Sequence, residues 1–256
     1  MTIAETFGLE GTPLNTVPHF MAGMECEIEA VSSKKDFPYF KVTEDGSLRN
    51  DGVEFISKPL NRQALTAAFR NLHASIQYTD KQVAFSPRTS THVHVNCRTL
   101  SDDQCRTLVL LYALFEEVFF SMVKAERRGN IHCVPLTETH LPTKYVLSIN
   151  GMRQSWSKYT AINLVPLGSL GTVEFRHLQG TDDVELVEQW LSVLENLWAL
   201  SQRVKIDQES LQNKETLYNW FLCIFGEVPQ AKALGPALFS IIENSLLDVK
   251  LSTIKV

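Results

Sequence analysis

The sequence has no C-x-x-C pair, and its five cysteines (Cys26, Cys97, Cys105, Cys133 and Cys223) are an odd number. That argues against a zinc ribbon and a disulfide framework, and for reduced thiols in a cytoplasmic setting. No G-x-x-x-x-G-K-[ST] or G-x-G-x-x-G run occurs, so neither a P-loop nor a Rossmann phosphate cradle is expected. The G-x-S-x-G elbow of serine hydrolases is missing too. A basic excess is also missing: 24 Lys and Arg face 29 Asp and Glu, for a net charge of −5. A phosphate backbone favours the opposite balance, so nucleic acid is not the expected partner, although a modified nucleobase stays open as a small substrate. The longest apolar run, Leu108 to Phe120, is broken by Glu116 and Glu117 and cannot span a bilayer, so no membrane partner is expected. Met1 to Thr6 has neither the basic nor the apolar region of a secretion signal.

What remains is a chain of 256 residues, 44% apolar and 21% charged, enough for one sheet domain with helical additions. Gly8, Gly11, Pro13 and Pro18 mark residues 1–20 as a loosely packed lead-in. Residues 21–205 carry the strand and helix patterns of the main domain, and 206–256 read as a helical extension. Within the main domain, Asn61 caps a helix running to Tyr78, with Leu65, Ala68, Phe69, Leu72 and Ile76 on its apolar face. Ser101 caps a long helix that ends near Gly129, and Thr181-Asp182-Asp183 opens another that ends near Val204.

The strands carry the chemistry. In Gly171-Thr172-Val173-Glu174-Phe175-Arg176, Val173 and Phe175 point one way, and Glu174 and Arg176 the other. From Gly23 to Ala30, Met24, Cys26 and Ile28 alternate with Glu25, Glu27 and Glu29. From Val53 to Ser57, Glu54 opposes Val53 and Phe55. Within the extended region Val83 to Arg98, Val93 and Val95 oppose His92, His94 and Asn96. Lys158 to Val165 reads as a further strand. Each feature has an ordinary explanation: a structural ion pair, a wet strand face, or hydrogen-bonded histidines. Four repeats of one design weigh against that reading, because like charges in a row repel. If these strands pair, Glu25, Glu27, Glu54 and Glu174 share one face. Two unit charges about 4 Å apart repel by roughly 4 kcal/mol at an effective dielectric near 20. Such a cluster takes up protons or cations, and an oxygen-rich set with an imidazole suits Mg²⁺ or Mn²⁺, often together with a polyphosphate. Arg176 could then neutralise charge on a moving phosphoryl group.

Six segments in order, G-x-E-x-E (Gly23 to Glu27), D-G-S-L (Asp45 to Leu48), G-V-E (Gly52 to Glu54), H-V-H-V-N (His92 to Asn96), R-R-G-N (Arg127 to Asn130) and K-Y-x-x-x-N…V-E-F-R (Lys158 to Arg176), resemble the amidoligase family. That family belongs to the glutamine synthetase and glutamate–cysteine ligase superfamily of carboxylate–amine ligases. The resemblance implies an α+β fold, a twisted antiparallel sheet with a concave acidic face and helices packed behind it. It implies ATP and Mg²⁺ or Mn²⁺ as cofactors, and a small-molecule or peptide carboxylate and an amine donor as partners. Glu25, Glu27, Glu54, His94 and Glu174 are then metal ligands, and Arg176, with Glu174, is catalytic. His92, His94, Asn96, Arg128, Asn130 and Asn163 are nucleotide or substrate contacts. Glu29 matches the pattern less well. Asp45 is a weak candidate for the amine-activating base, and more simply a turn residue bonding its own backbone. The competing readings are a guanidino-kinase-like phosphotransferase, a non-catalytic nucleotide- or metal-binding module, and a metal-dependent nuclease.

Overall fold

The computed structural model describes residues 1–138, 148–226 and 228–248. Six strands, β1 (Ala22–Ile28), β2 (Phe40–Glu44), β3 (Val53–Ser57), β4 (Ser90–Asn96), β5 (Ile162–Asn163) and β6 (Thr172–Gln179), form one sheet in the order β2-β3-β1-β4-β6-β5. Every pairing is antiparallel. Alternation sorts the two faces. Met24, Cys26, Ile28, Val53, Phe55, Val93, Val95, Val173 and Phe175 are all buried in one continuous core. Each such side chain contributes about 1.5–3 kcal/mol by leaving water. Among the helices that join this core are α2 (Arg62–Ser75), α3 (Asp102–Leu114) and α6 (Val184–Ser201). Sheet and helices together are the α+β fold expected from the sequence, and Glu25, Glu27, Glu54, His92, His94, Asn96 and Glu174 are left on the opposite face.

Capping follows the local sequence. Asn61, Ser101 and Asp183 accept backbone N–H bonds at the starts of α2, α3 and α6. The amino-terminal segment departs from the loose packing expected of it. A short helix, α1 (Ile3–Thr6), is closed by a capping box. It is bonded to the carbonyls of Leu100 and Arg98, with Ile3 fully buried.

Three other expectations need correction. The long helix after Ser101 breaks at Phe115, and α4 (Glu116–Ser121) and a 3-10 turn, Ala125–Gly129, follow. The break turns Glu116 inward, where it accepts bonds from Tyr112 Oη at 2.6 Å and the Leu136 N–H at 2.5 Å. A buried carboxylate needs such donors, and a continuous helix would have aimed it elsewhere. The strand expected over Lys158 to Val165 is only Ile162–Asn163. It gives way to a 3-10 turn over Val165–Gly168, where Pro166 offers no ladder donor. Of Val83 to Arg98, only Ser90–Asn96 is a strand. The edge strand β2 was not legible as one, since only two of its five residues, Phe40 and Val42, are apolar. After α5 (Ile149–Gln154) and α6 come α7 (Gln208–Gln212), α8 (Lys214–Phe225), α9 (Pro229–Ala233) and α10 (Leu238–Asp248). Through Phe221 and Phe225, α8 packs on Phe115 and Phe119. By sequence alone the stretch 130–150 reads as irregular, with His132, Pro135, His140 and Pro142, and it is described only in part. His140 and Pro142 lie outside the described residues.

Behind the sheet, His177 is fully buried, with Nε2 2.9 Å from Tyr112 Oη. Tyr112 gives its proton to Glu116, so His177 Nε2 carries the other one, and Nδ1 has no hydrogen-bond partner among the described residues. Burial, assisted by the Arg127 cation, lowers its pKa from 6.5 to about 3. The unfolded chain therefore takes up this proton first, and the stability due to neutral His177 is lost as pH falls below about 6.5. Urea unfolding at pH 7 and pH 5 should differ by about 2 kcal/mol on this account. His177→Gln, which keeps a donor for Tyr112, should flatten that dependence. An unchanged slope would assign it to other groups.

Candidate functional site

The register brings the polar residues of five strands together. Glu27 pairs with Glu54 across β1 and β3, and Glu25 pairs with His92 across β1 and β4. His94 and Asn163 flank Glu174 from either side. Among the described residues two groups have ligand atoms within 4.8 Å of one another, Glu25–His94–Glu174 and Glu27–Asp45–Glu54. These six residues include all five expected metal ligands. The sixth, Asp45, was read as a turn residue, and its Oδ1 does accept the Ser47 N–H at 2.8 Å. Its D-G-S context gives a turn signal that hides its place beside Glu27 and Glu54. Only the pairing of β2 with β3 delivers it.

The charges are strained in the way the sequence suggests. Burial, then the charges of Glu25, Glu27 and Asp45, push Glu54 up to about 8. Burial would raise Glu25 too, but the close contacts and charge of His92 and His94 hold it well below the usual carboxylate range. For His94, burial favours the neutral ring, yet Glu25 and Glu174 outweigh it and raise its pKa. His94 Nε2 lies 3.1 Å from Glu25 Oε1, an ion-pair contact off the line of a hydrogen bond. His94 Nδ1 is 3.0 Å from Thr172 Oγ1.

Arg176 owes its aim to an irregularity. The register between β4 and β6 shifts between Thr91 and Val93, so two residues, Arg176 and His177, stand opposite His92. Such a bulge redirects side chains. Arg176 stays on the polar face, bonding through Nη1 to Glu174 Oε1 and through Nε to the His132 carbonyl at 3.0 Å. His177 turns to the core. Arg127, buried, donates to the carbonyls of Arg176 and His177 at 2.6 and 2.9 Å and so satisfies the bulge. Burial lowers the pKa of its guanidinium.

The remaining expected residues divide. Asn163 donates to Glu174 Oε2 at 2.6 Å and fixes that carboxylate. Asn130 lines a cavity beside the Glu27 group. Asn96 lines a smaller one, but its carboxamide bonds the Leu14 carbonyl and the Arg98 N–H. His92 is buried among Ser90, Glu25 and Glu174. Arg128 is not brought to the sheet face: it pairs with Glu117 and Glu138. In R-R-G-N it is Arg127 that reaches the site, a choice between adjacent arginines that the sequence pattern does not make. Glu29 stands apart from both groups. It accepts from the Arg49 N–H at 2.7 Å and Asn50 Nδ2 at 3.3 Å, and so holds a turn in which Asn50 and Asp51 have positive φ.

Two cavities flank these groups. One, of about 760 Å³, has Glu27, Asp45 and Ser90 in its wall with the cations Arg88, Lys158 and Arg176. The other, of about 250 Å³, has Glu25 and His94 beside Leu14, Met24, Ile56 and Leu170. The donor set fits divalent cations. Carboxylate oxygens with one imidazole suit Mg²⁺ or Mn²⁺. Burial first, and then the neighbouring carboxylates, raise the pKa of Glu54, and a cation would relieve the second of these.

A family model described as "Putative amidoligase enzyme" matches residues 29–198 of the 256. The matched span holds Asp45, Glu54, His92, His94, Glu174 and Arg176, and begins after Glu25 and Glu27. No curated protein matches the chain.

Proposed function

The chain belongs to the putative amidoligase enzyme family, and on that premise we propose that it is an ATP-dependent carboxylate–amine ligase working through an acyl phosphate. One observation carries the reading: two groups of hard ligands lie on one sheet face, with Arg176 bonded into the first and lining the same cavity as the second. Amide formation needs that combination, because a carboxylate repels an incoming amine until one oxygen becomes a leaving group.

The smaller, largely apolar cavity suits a nucleotide base. The larger cavity, with Arg88 and Lys158 in its wall, suits the anionic acid. Glu25, His94 and Glu174 would hold one cation and Glu27, Asp45 and Glu54 another; when bound, they neutralise phosphate oxygens during transfer. Arg176 presents a planar fork of donors to the moving phosphoryl group. Asn163 keeps Glu174 oriented, and Arg127 keeps the bulge that aims Arg176. The γ-phosphoryl group passes to a carboxylate oxygen and ADP leaves. The amine then attacks the acyl carbon and loses a proton, and inorganic phosphate departs with one former carboxylate oxygen.

Isotope tracing tests the sequence of bonds. With an oxygen-18-labelled acid, one label should appear in the released phosphate, and only when an amine is present should amide accumulate. Label in AMP with pyrophosphate release would mean adenylation. A stable phosphorylated acceptor without amide would make the protein a phosphotransferase.

A further inference from the structure

The two ligand groups are joined through one buried side chain. Ser90 opens β4 and is 4% exposed, as is His92. The N–H and Oγ–H of Ser90 both donate to Glu27 Oε2, at 2.8 and 2.7 Å. A carboxylate oxygen only accepts, so the hydroxyl proton is committed there. The same Oγ lies 2.8 Å from His92 Nε2 and has only lone pairs left to offer. His92 Nε2 is therefore the donor. Its Nδ1 edge faces Glu25 Oε2 at 3.2 Å and Glu174 Oε1 at 3.4 Å. A continuous run of polar contacts thus leads from Glu27 in one group, through Ser90 and His92, to Glu25 and Glu174 in the other.

We propose that Ser90 is a positioning residue that couples the two groups, so that a divalent cation in one prepares the other. The proposal rests on the assignment of cations to both groups and goes beyond it by making their filling cooperative. A cation shared with Asp45 and Glu54 would draw the Glu27 carboxylate toward them. The Ser90 N–H is fixed in the strand, so the adjustment falls on the hydroxyl rotor and, through it, on the His92 ring. That ring sets the edge that Glu25 and Glu174 meet. Partners behind metal ligands commonly change affinity by about 10- to 100-fold.

The test is titration of Mn²⁺ into the full chain, with and without ADP, followed by calorimetry and by electron paramagnetic resonance of free Mn²⁺. Wild type should bind two ions with positive cooperativity. Ser90→Ala should bind them independently, the weaker by about 10- to 100-fold, while melting near the wild-type temperature. Ser90→Thr, which keeps the hydroxyl, should restore cooperativity, a rescue that a purely packing role would not produce. If Ser90→Ala does not fold, Ser90→Cys, a weaker donor of similar shape, should reduce cooperativity. Independent sites in wild type, or undiminished cooperativity in Ser90→Ala or Ser90→Cys, would overturn the coupling and leave the ligase reading standing. Failure of wild type to bind Mn²⁺ would overturn the cation assignment beneath both.

Discussion

Divalent cations should stabilise this fold, and Glu27→Gln should abolish that effect and lower turnover by ~10²- to 10³-fold, the scale of a lost group that stabilises transition-state charge. Glu27 Oε2 accepts both donors of Ser90. A glutamine can keep those bonds through its carbonyl oxygen, but it offers an NH₂ in place of the second carboxylate oxygen beside Asp45 and Glu54. The replacement therefore retains the fold and presents hydrogens to a cation. It also removes one of the negative charges that hold Glu54 up to about 8. In chelator the variant should melt at or above the wild-type temperature, because like-charge repulsion is relieved. With Mg²⁺ or Mn²⁺ plus ADP, wild type should gain melting temperature and the variant should not. Equal gains in both proteins would remove Glu27 from the cation site.

Arg176→Lys should fold normally, bind nucleotide within about tenfold of wild type and lose ~10²-fold or more in rate. Val173 and Phe175 hold the strand in the core, and Arg127 secures the bulge from behind. None of these anchors depends on the Arg176 side chain. The guanidinium spans Glu174 and the His132 carbonyl at once. A lysine offers one point charge and cannot reproduce that fork. Glu174 keeps its second donor, Asn163, so it stays in place. The loss should therefore fall on kcat more than on KM, as expected of an interaction made chiefly in the transition state. Activity near wild type would make Arg176 a structural partner of Glu174.

The sheet was legible in the sequence where alternation is strict. Over Met24 to Ile28, Val53 to Phe55, Val93 to Val95 and Val173 to Phe175, every apolar position is buried in the core. A period of two leaves the acids and imidazoles only the other face. That is why Glu25, Glu27, Glu54, His94 and Glu174 could be named as a set before any pairing was known. Helix starts were legible for a similar reason, since Asn61, Ser101 and Asp183 act within a few residues of themselves.

The register was not legible, because it belongs to pairs of strands. It decides that Glu27 meets Glu54 and that Glu174 lies between His94 and Asn163. It also brings Asp45, by sequence a turn residue, to complete one ligand group. Arg127 and Arg128 are adjacent and chemically alike, so only the path of the chain after α4 decides which one meets the carbonyls of the bulge and which one pairs with Glu117 and Glu138. The break at Phe115 likewise answers to Tyr112 and Leu136, which satisfy the buried Glu116. Sequence determined the chemical character of the polar face, because side-chain alternation is local. Tertiary structure decided which of these groups come within reach of one another, because those contacts join residues far apart in the chain.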